Sequence, residues 1–433
     1  MSRPGKTLES LPLELYIQIL LLINDLASLR ALALASRSFR HAYSLVRYEA
    51  LLNVLNAQYD GLVEIAEAIA AVRSKQLHAS RKEDKDSIVA LLDARRRSDE
   101  IRRLEKQSAA GLPLPYQPTD CLEVLELLKL HHIAVYLLDD YSRNAPRPHW
   151  IGPATWDSGI LPLSLSDTEK KRYFRAFYRL QTYGNMFSTG ENSVDVQHQL
   201  HTRDWTGIFT KEEVWRLFFS PLAPWEVEEL GCVWHHFYER NGQRYFEVAS
   251  DLQKYWPEQV KTYPKLPDSL HALPSCLILH CQELIAFERQ IRENLTCYGP
   301  AFLYKLLDEE DYMTRRNFVL ANARRSPKAF PVVTPRNISV QLPLLYPADC
   351  FDFELDVEGF RSFVSTIPEI EQPNTAWTRV WIDHMQEDEL LFEKMFSCGL
   401  RAPRWNWGYA LWDSERLAEW RAPMDWSVEA MNW

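Results

Sequence analysis

Residues 10–40 read SLPLELYIQILLLINDLASLRALALASRSFR. Pro12 suits a first helical position, because its fixed φ is already helical and its missing N–H would have no intrahelical partner there. Glu14 then lies close to the positive end of the helix macrodipole. From Ile17 to Ile23 only Gln18 interrupts the apolar residues. Leu15, Ile19 and Leu22 form the stripe expected of a helix that buries one side. Leu13, Ile17, Leu20 and Leu21 fall off that stripe, so this helix has more apolar surface than one small core can cover, and a second surface must bury the rest. A bilayer span needs roughly 20 apolar residues, and this shorter run is broken by Glu14 and Gln18. Asp25 can cap a second helix carrying Leu26, Leu29, Leu32 and Ala33, and Ser36 can cap a third carrying Phe39 and Tyr43. Three short helices with one over-apolar member make a docking module, or, more plainly, a helical hairpin packed on its own domain.

The order Leu11-Pro12, apolar first helix, capped Leu/Ala second helix and aromatic third helix resembles an F-box over residues 8–50, about a tenth of the chain. Phe39 stands where many F-boxes carry tryptophan. The resemblance implies that the chain binds a Skp-type adaptor and, through it, a cullin, with Leu11, Pro12, Ile17, Leu20 and Phe39 as adaptor contacts. It implies a substrate receptor of a Skp/cullin/F-box ubiquitin ligase that recruits a protein target and has no catalytic activity. A non-degradative F-box regulator is the alternative.

Composition sets the rest of the frame. A chain of 433 residues, 46% hydrophobic and 12% aromatic, can fill more than one core. Fourteen glycines are roughly half the usual usage of about 7%, which fits long helices better than a turn-rich β fold. The expectation is an all-α protein: the three-helix unit at 8–50, a charged helical connector with a Pro-rich linker at 51–118, and a large irregular helical domain with little strand at 119–433. The net charge of −10 argues against nucleic acid, whose phosphates are bound through Lys and Arg. The N-terminal MSRPGKTLES has no apolar signal region, so an intracellular protein of cytoplasm or nucleus, with no membrane partner, is expected. Seven cysteines without framework spacing read as reduced thiols. The sequons at Asn294 and Asn337 then read as chance matches.

Along the chain, Leu62, Ile65, Ala66, Ile69 and Val72 continue a helical period. From Arg73 to Lys106 there are eleven Lys/Arg against seven Asp/Glu. Mixed signs there favour a solvated helix over an import signal or a phosphate contact. Residues 111–118, GLPLPYQP, break the helical pattern. Beyond them, Asp120, Ser166 with Glu169, Thr210 with Glu213, Ala223-Pro224 and Ser275 mark helix starts, the last running to about Arg292. Residues 330–354 are the place for extended chain. Six of the fifteen tryptophans fall in the last 29 residues, around a Gly-Tyr-x-x-Trp-Asp pattern similar to the C-terminal end of fungal F-box proteins. Trp405, Trp407 and Trp412 can close a core or line a groove; their large buried areas favour the core.

No phosphate loop, nucleophile elbow or His-Glu-x-x-His occurs, so no cofactor or metal is expected. His131-His132 and His235-His236 are neighbours that diverge on a helix. Cys276, His280 and Cys281 lack further zinc ligands. An all-helical, magnesium-dependent enzyme of terpene-synthase type would use Asp-rich helix motifs, but Asp139-Asp140 is followed by Ser142 and Arg143 in place of a later acid, and Asp308-Glu-Glu-Asp311, which puts acids on one face, has no second metal-binding motif.

Overall fold

The computed structural model describes residues 11–96, 117–188, 205–219, 221–253, 288–323, 356–383 and 402–423. Among them every regular element is helical and no strand occurs. Several sequence expectations lie outside the described residues: Gly111–Tyr116, the start at Ser275, the extended chain at 330–354, the Cys276/His280/Cys281 group, Asn337, Trp426 and Trp433, and most of the basic run after Arg96.

The opening helices form where their caps place them. Helix α1 (Leu13–Leu21) starts one residue later than proposed, with Pro12 as an extended N-cap at φ −61° and ψ 153°. Helix α2 (Leu26–Ala35) begins where Asp25 accepts from the Ser28 N–H at 2.7 Å. Helix α3 (Arg37–Tyr59) begins where Ser36 accepts from the Phe39 N–H, kinks at Val46 and ends at Asp60 in the left-handed region.

The division at residue 50 therefore falls inside α3, and the second half of that helix belongs to the body. Ala50, Leu51, Val54 and Leu55 are wholly buried. Nor is the next stretch a solvated connector. Helix α4 (Ile65–Arg73) buries six of its nine residues, and α5 (Lys85–Arg96) buries Ile88 and Leu92. Arg95, read as a surface charge, is 5% exposed and donates to the Phe218 carbonyl at 3.0 Å. One apolar core runs from Tyr16 to Leu417.

Helix α6 (Cys121–Asn144) packs along α3, capped by Asp120. Helix α7 (Asp167–Phe187), opened by the Ser166/Glu169 capping box, is the axis of the molecule. Nearly its whole circumference is covered, by α4, by α6 and by α8 (Pro224–Gln253). Thr210 and Glu213 close the other foreseen capping box. Helices α9 (Glu288–Cys297), α10 (Pro300–Asp308) and α11 (Tyr312–Asn322) build a second apolar cluster on the far end of α8, around Tyr245, Leu295 and Phe302. Helices α12 (Val357–Thr366), α13 (Thr375–Trp381) and α14 (Ser414–Glu419) follow, and short helical turns such as Pro153–Thr155 and Lys211–Val214 lie between the longer helices.

The tryptophan segment before α14 belongs to the core. Trp405, Trp407 and Trp412 are 2%, 4% and 0% exposed. Trp412 stacks on Tyr141 with ring centres 5.7 Å apart. Trp405 lies flat on α8 at Gly231, where a Cβ would fall 2.2 Å from its ring.

Candidate functional site

Apolar surface left uncovered is concentrated on α1, α2 and the first half of α3. Of eleven large hydrophobic side chains exposed among the described residues, six lie between residues 13 and 45: Leu13, Leu15, Leu22, Leu26, Leu34 and Leu45. Leu22 is 78% exposed. A side chain so placed forgoes on the order of 1.5–3 kcal/mol of burial. Scattered single exposures are ordinary; a cluster on one small unit marks an interaction surface.

The inward face of α1 is not the stripe expected from spacing. Tyr16 and Leu20 are buried, whereas Leu15 and Leu22 point outward. Tyr16 meets Phe39 edge-to-face at 4.7 Å, which fixes α1 on α3. Leu20 and Phe39, expected to touch an adaptor, are 0% and 4% exposed, so the chain itself covers them. Pro12 is exposed and Leu11 and Ile17 are half-buried, within reach of a partner. On the same three-helix unit, a groove of about 490 Å³ opens between α2 and α3 and is closed by Leu125 of α6.

The interior holds an unforeseen lattice of charge. Arg172, Arg175 and Arg179 recur at helical spacing along α7 and are 5%, 3% and 5% exposed. They face Glu67 of α4, Glu226 and Glu229 of α8, and Glu64 and Glu371. Burial pushes Glu229 up to about 7, against the pull of Arg175 and Arg172. Burial also works against charge on Glu226, but Arg175 and Arg179 outweigh it and hold this carboxyl below its ordinary value. The Arg-x-x-Arg-x-x-x-Arg spacing in residues 172–179 was the readable signal; its partners, spread from residue 64 to 371, were not.

The titratable groups with catalytic chemistry are locked. His236 stands one turn after Cys232 on α8, with Nε2 3.4 Å from Asp140. This resembles a nucleophile–base–acid order, but burial drives the Cys232 thiol well above its ordinary value, the reverse of activation. Arg240 also holds Asp140, with its Nε 2.9 Å from Oδ2. His131 is fixed between the Tyr178 hydroxyl and the Gln58 carbonyl, each at 3.1 Å. Asp308 to Asp311 do not share a helix face: α10 ends at Asp308, and Asp311 caps α11 by accepting from the Thr314 N–H. Asp139 is paired with Arg143. Among the described residues no group of three or more His, Cys, Asp or Glu could hold a metal ion, and no helix is long and apolar enough to cross a membrane. Asn294 of the first sequon is 1% exposed inside α9. No protein-family model, curated protein or solved structure matches this chain.

Proposed function

We propose that this chain is an F-box-type substrate receptor, whose three N-terminal helices dock a Skp-type adaptor and whose helical body presents a protein target to a cullin ubiquitin ligase. The carrying observation is the crowding of exposed leucines onto residues 13–45. That unit begins Leu11-Pro12 and takes its second and third helices from the Asp25 and Ser36 caps. Leu11, Pro12 and Ile17, with Leu13, Leu15 and Leu22 around them, are the contact surface. Leu20 and Phe39 serve it by clamping α1 to α3. The receptor would act by proximity, raising the local concentration of the target's lysines near a charged conjugating enzyme.

Co-expression with a Skp-type adaptor tests this reading. Leu15→Asp with Leu22→Asp should leave the melting temperature nearly unchanged, because both side chains already face water, yet abolish adaptor co-purification. A double variant that still captures the adaptor at the parental level refutes the assignment.

A further inference from the structure

On the body of the chain, the Pro153–Thr155 turn and the residues around it enclose, with the end of α14, a cavity of about 370 Å³. Its floor is apolar: Ile151 and Leu163 are buried, and Ile160 and Trp420 are half-buried. None of the lining comes from α1, α2 or α3, so the site stands whether or not those helices bind an adaptor. The Trp420 ring is a fixed wall. It meets Trp156 and Trp412 edge-to-face, each at 5.2 Å, and the Trp420 carbonyl accepts from the Trp150 indole N–H at 3.0 Å.

Three charged side chains line this cavity, and two of them are free. Arg416 already donates to both oxygens of Glu169, at 2.5 and 2.7 Å. Arg421 and Glu419 are exposed and form no ion pair with any described residue. Arg421 also stands where the backbone favours glycine. The Arg421 N–H donates to the Ala418 carbonyl and the Ala422 N–H to the Leu417 carbonyl, each at 3.0 Å, a helix ending that puts Arg421 at φ 53°. Glycine takes that conformation without strain, whereas a side chain does not. The helix dipole offers little in return, because α14 has six residues and Arg416 already serves its last turn. What the arginine supplies is a cation at the rim of the cavity.

One free cation and one free anion above an apolar floor match a ligand that carries both charges and an apolar side chain. A phosphate ester would meet a single free guanidinium and be repelled by Glu419. The volume lies near the small end of ligand pockets, roughly 300–1,000 Å³, too small for a lipid or an extended peptide. We infer that this cavity binds a free apolar α-amino acid, with its carboxylate on the Arg421 fork, its ammonium on Glu419 and its side chain against Ile160, Leu163 and the Trp420 ring.

Calorimetric titration of the full chain with leucine, isoleucine and phenylalanine tests this. At least one of the three should bind one-to-one, and its N-acetyl and amide derivatives about tenfold or more weakly, since each loses one charge-assisted contact. Arg421→Gly should melt no lower than the parent, because it relieves the backbone, yet bind the amino acid about tenfold or more weakly. Glu419→Gln should weaken the free amino acid while leaving the N-acetyl derivative unchanged, a split that general loss of structure would not produce. No binding of any of the three overturns the inference, as does undiminished binding by Arg421→Gly. Equal binding of the free and N-acetylated forms also overturns it, since the cavity would then take bare carboxylates such as the end of a protein chain.

Discussion

Arg175 and Glu229 meet as a two-pronged ion pair, with Nη2 of the guanidinium 2.9 and 2.8 Å from the two carboxylate oxygens and both side chains 2% exposed. The other terminal nitrogen of Arg175 reaches Glu226 and Glu371 at 2.8 Å and Glu64 at 3.5 Å. One guanidinium thus ties α7 to α8, to the entry of α4 and to the turn before α13.

Removing either partner should not cost the same. Arg175→Met removes the cation that four carboxylates share, leaving Glu229 only Arg172 at 3.8 Å, Glu226 and Glu64 only Arg179, and Glu371 only Lys171, and should destabilise by about 3–5 kcal/mol. Glu229→Gln should cost less than half of that near pH 7, because burial holds its carboxyl at about 7 and a proton is already bound much of the time. Urea unfolding of both variants at pH 7 checks this ordering, and equal losses would contradict it.

Acid should weaken the fold through histidine before the ordinary carboxylates titrate. Burial lowers His131 and His235 from 6.5 to about 4. The unfolded chain therefore binds more protons than the folded one between these values, and stability falls as pH drops through that window. Each ring contributes on the order of 3 kcal/mol at most. Glu229 acts in the opposite sense: its folded value of about 7 lies above the ordinary 4.5, so its contribution weakens as pH rises from 4.5 to 7. Melting temperature followed from pH 7 to 4 should fall, and His131→Gln should flatten the slope. An unchanged slope in that variant would remove His131 from the account.

Gly231 should tolerate no side chain. A Cβ there would lie 2.2 Å from the Trp405 ring, which is itself held by a 2.7 Å hydrogen bond from its indole N–H to Glu228. The ring cannot slide away without breaking that bond. Gly231→Ala should cost about 1–3 kcal/mol or more. Gly159→Ala, with nothing within 4 Å of its Cβ position, should change stability by less than about 0.5 kcal/mol. Thermal melts of the two variants make the comparison.

Trp412 should behave as a core residue. It is wholly buried, stacks on Tyr141 and donates its indole N–H to the Trp407 carbonyl at 2.9 Å. Trp412→Ala should cost about 3–5 kcal/mol and lower soluble expression. A variant that melts normally but loses a bound protein would instead place the tryptophans in a recognition groove.

Helix starts and fold class were legible in the sequence, because caps are local. Asp25, Ser36, Asp120, Ser166 with Glu169 and Thr210 with Glu213 each bond a backbone N–H two or three residues away. Which face turns inward was not legible. The apolar run of α1 offers several equivalent stripes, and only the arrival of Phe39 selected Tyr16 and Leu20 over Leu15 and Leu22. The acids at 308–311 looked like one cluster until a helix break between them separated their roles. Arg95 read as a surface charge and the arginines of α7 gave no sign of what they would pair with, yet carboxylates and carbonyls tens to hundreds of residues away bury them. Residue spacing specifies local hydrogen bonds, so the sequence alone determined where the helices begin and that the protein is helical. The inward faces and the fate of each charge depend on partners distant in the chain, and only the tertiary structure decided them.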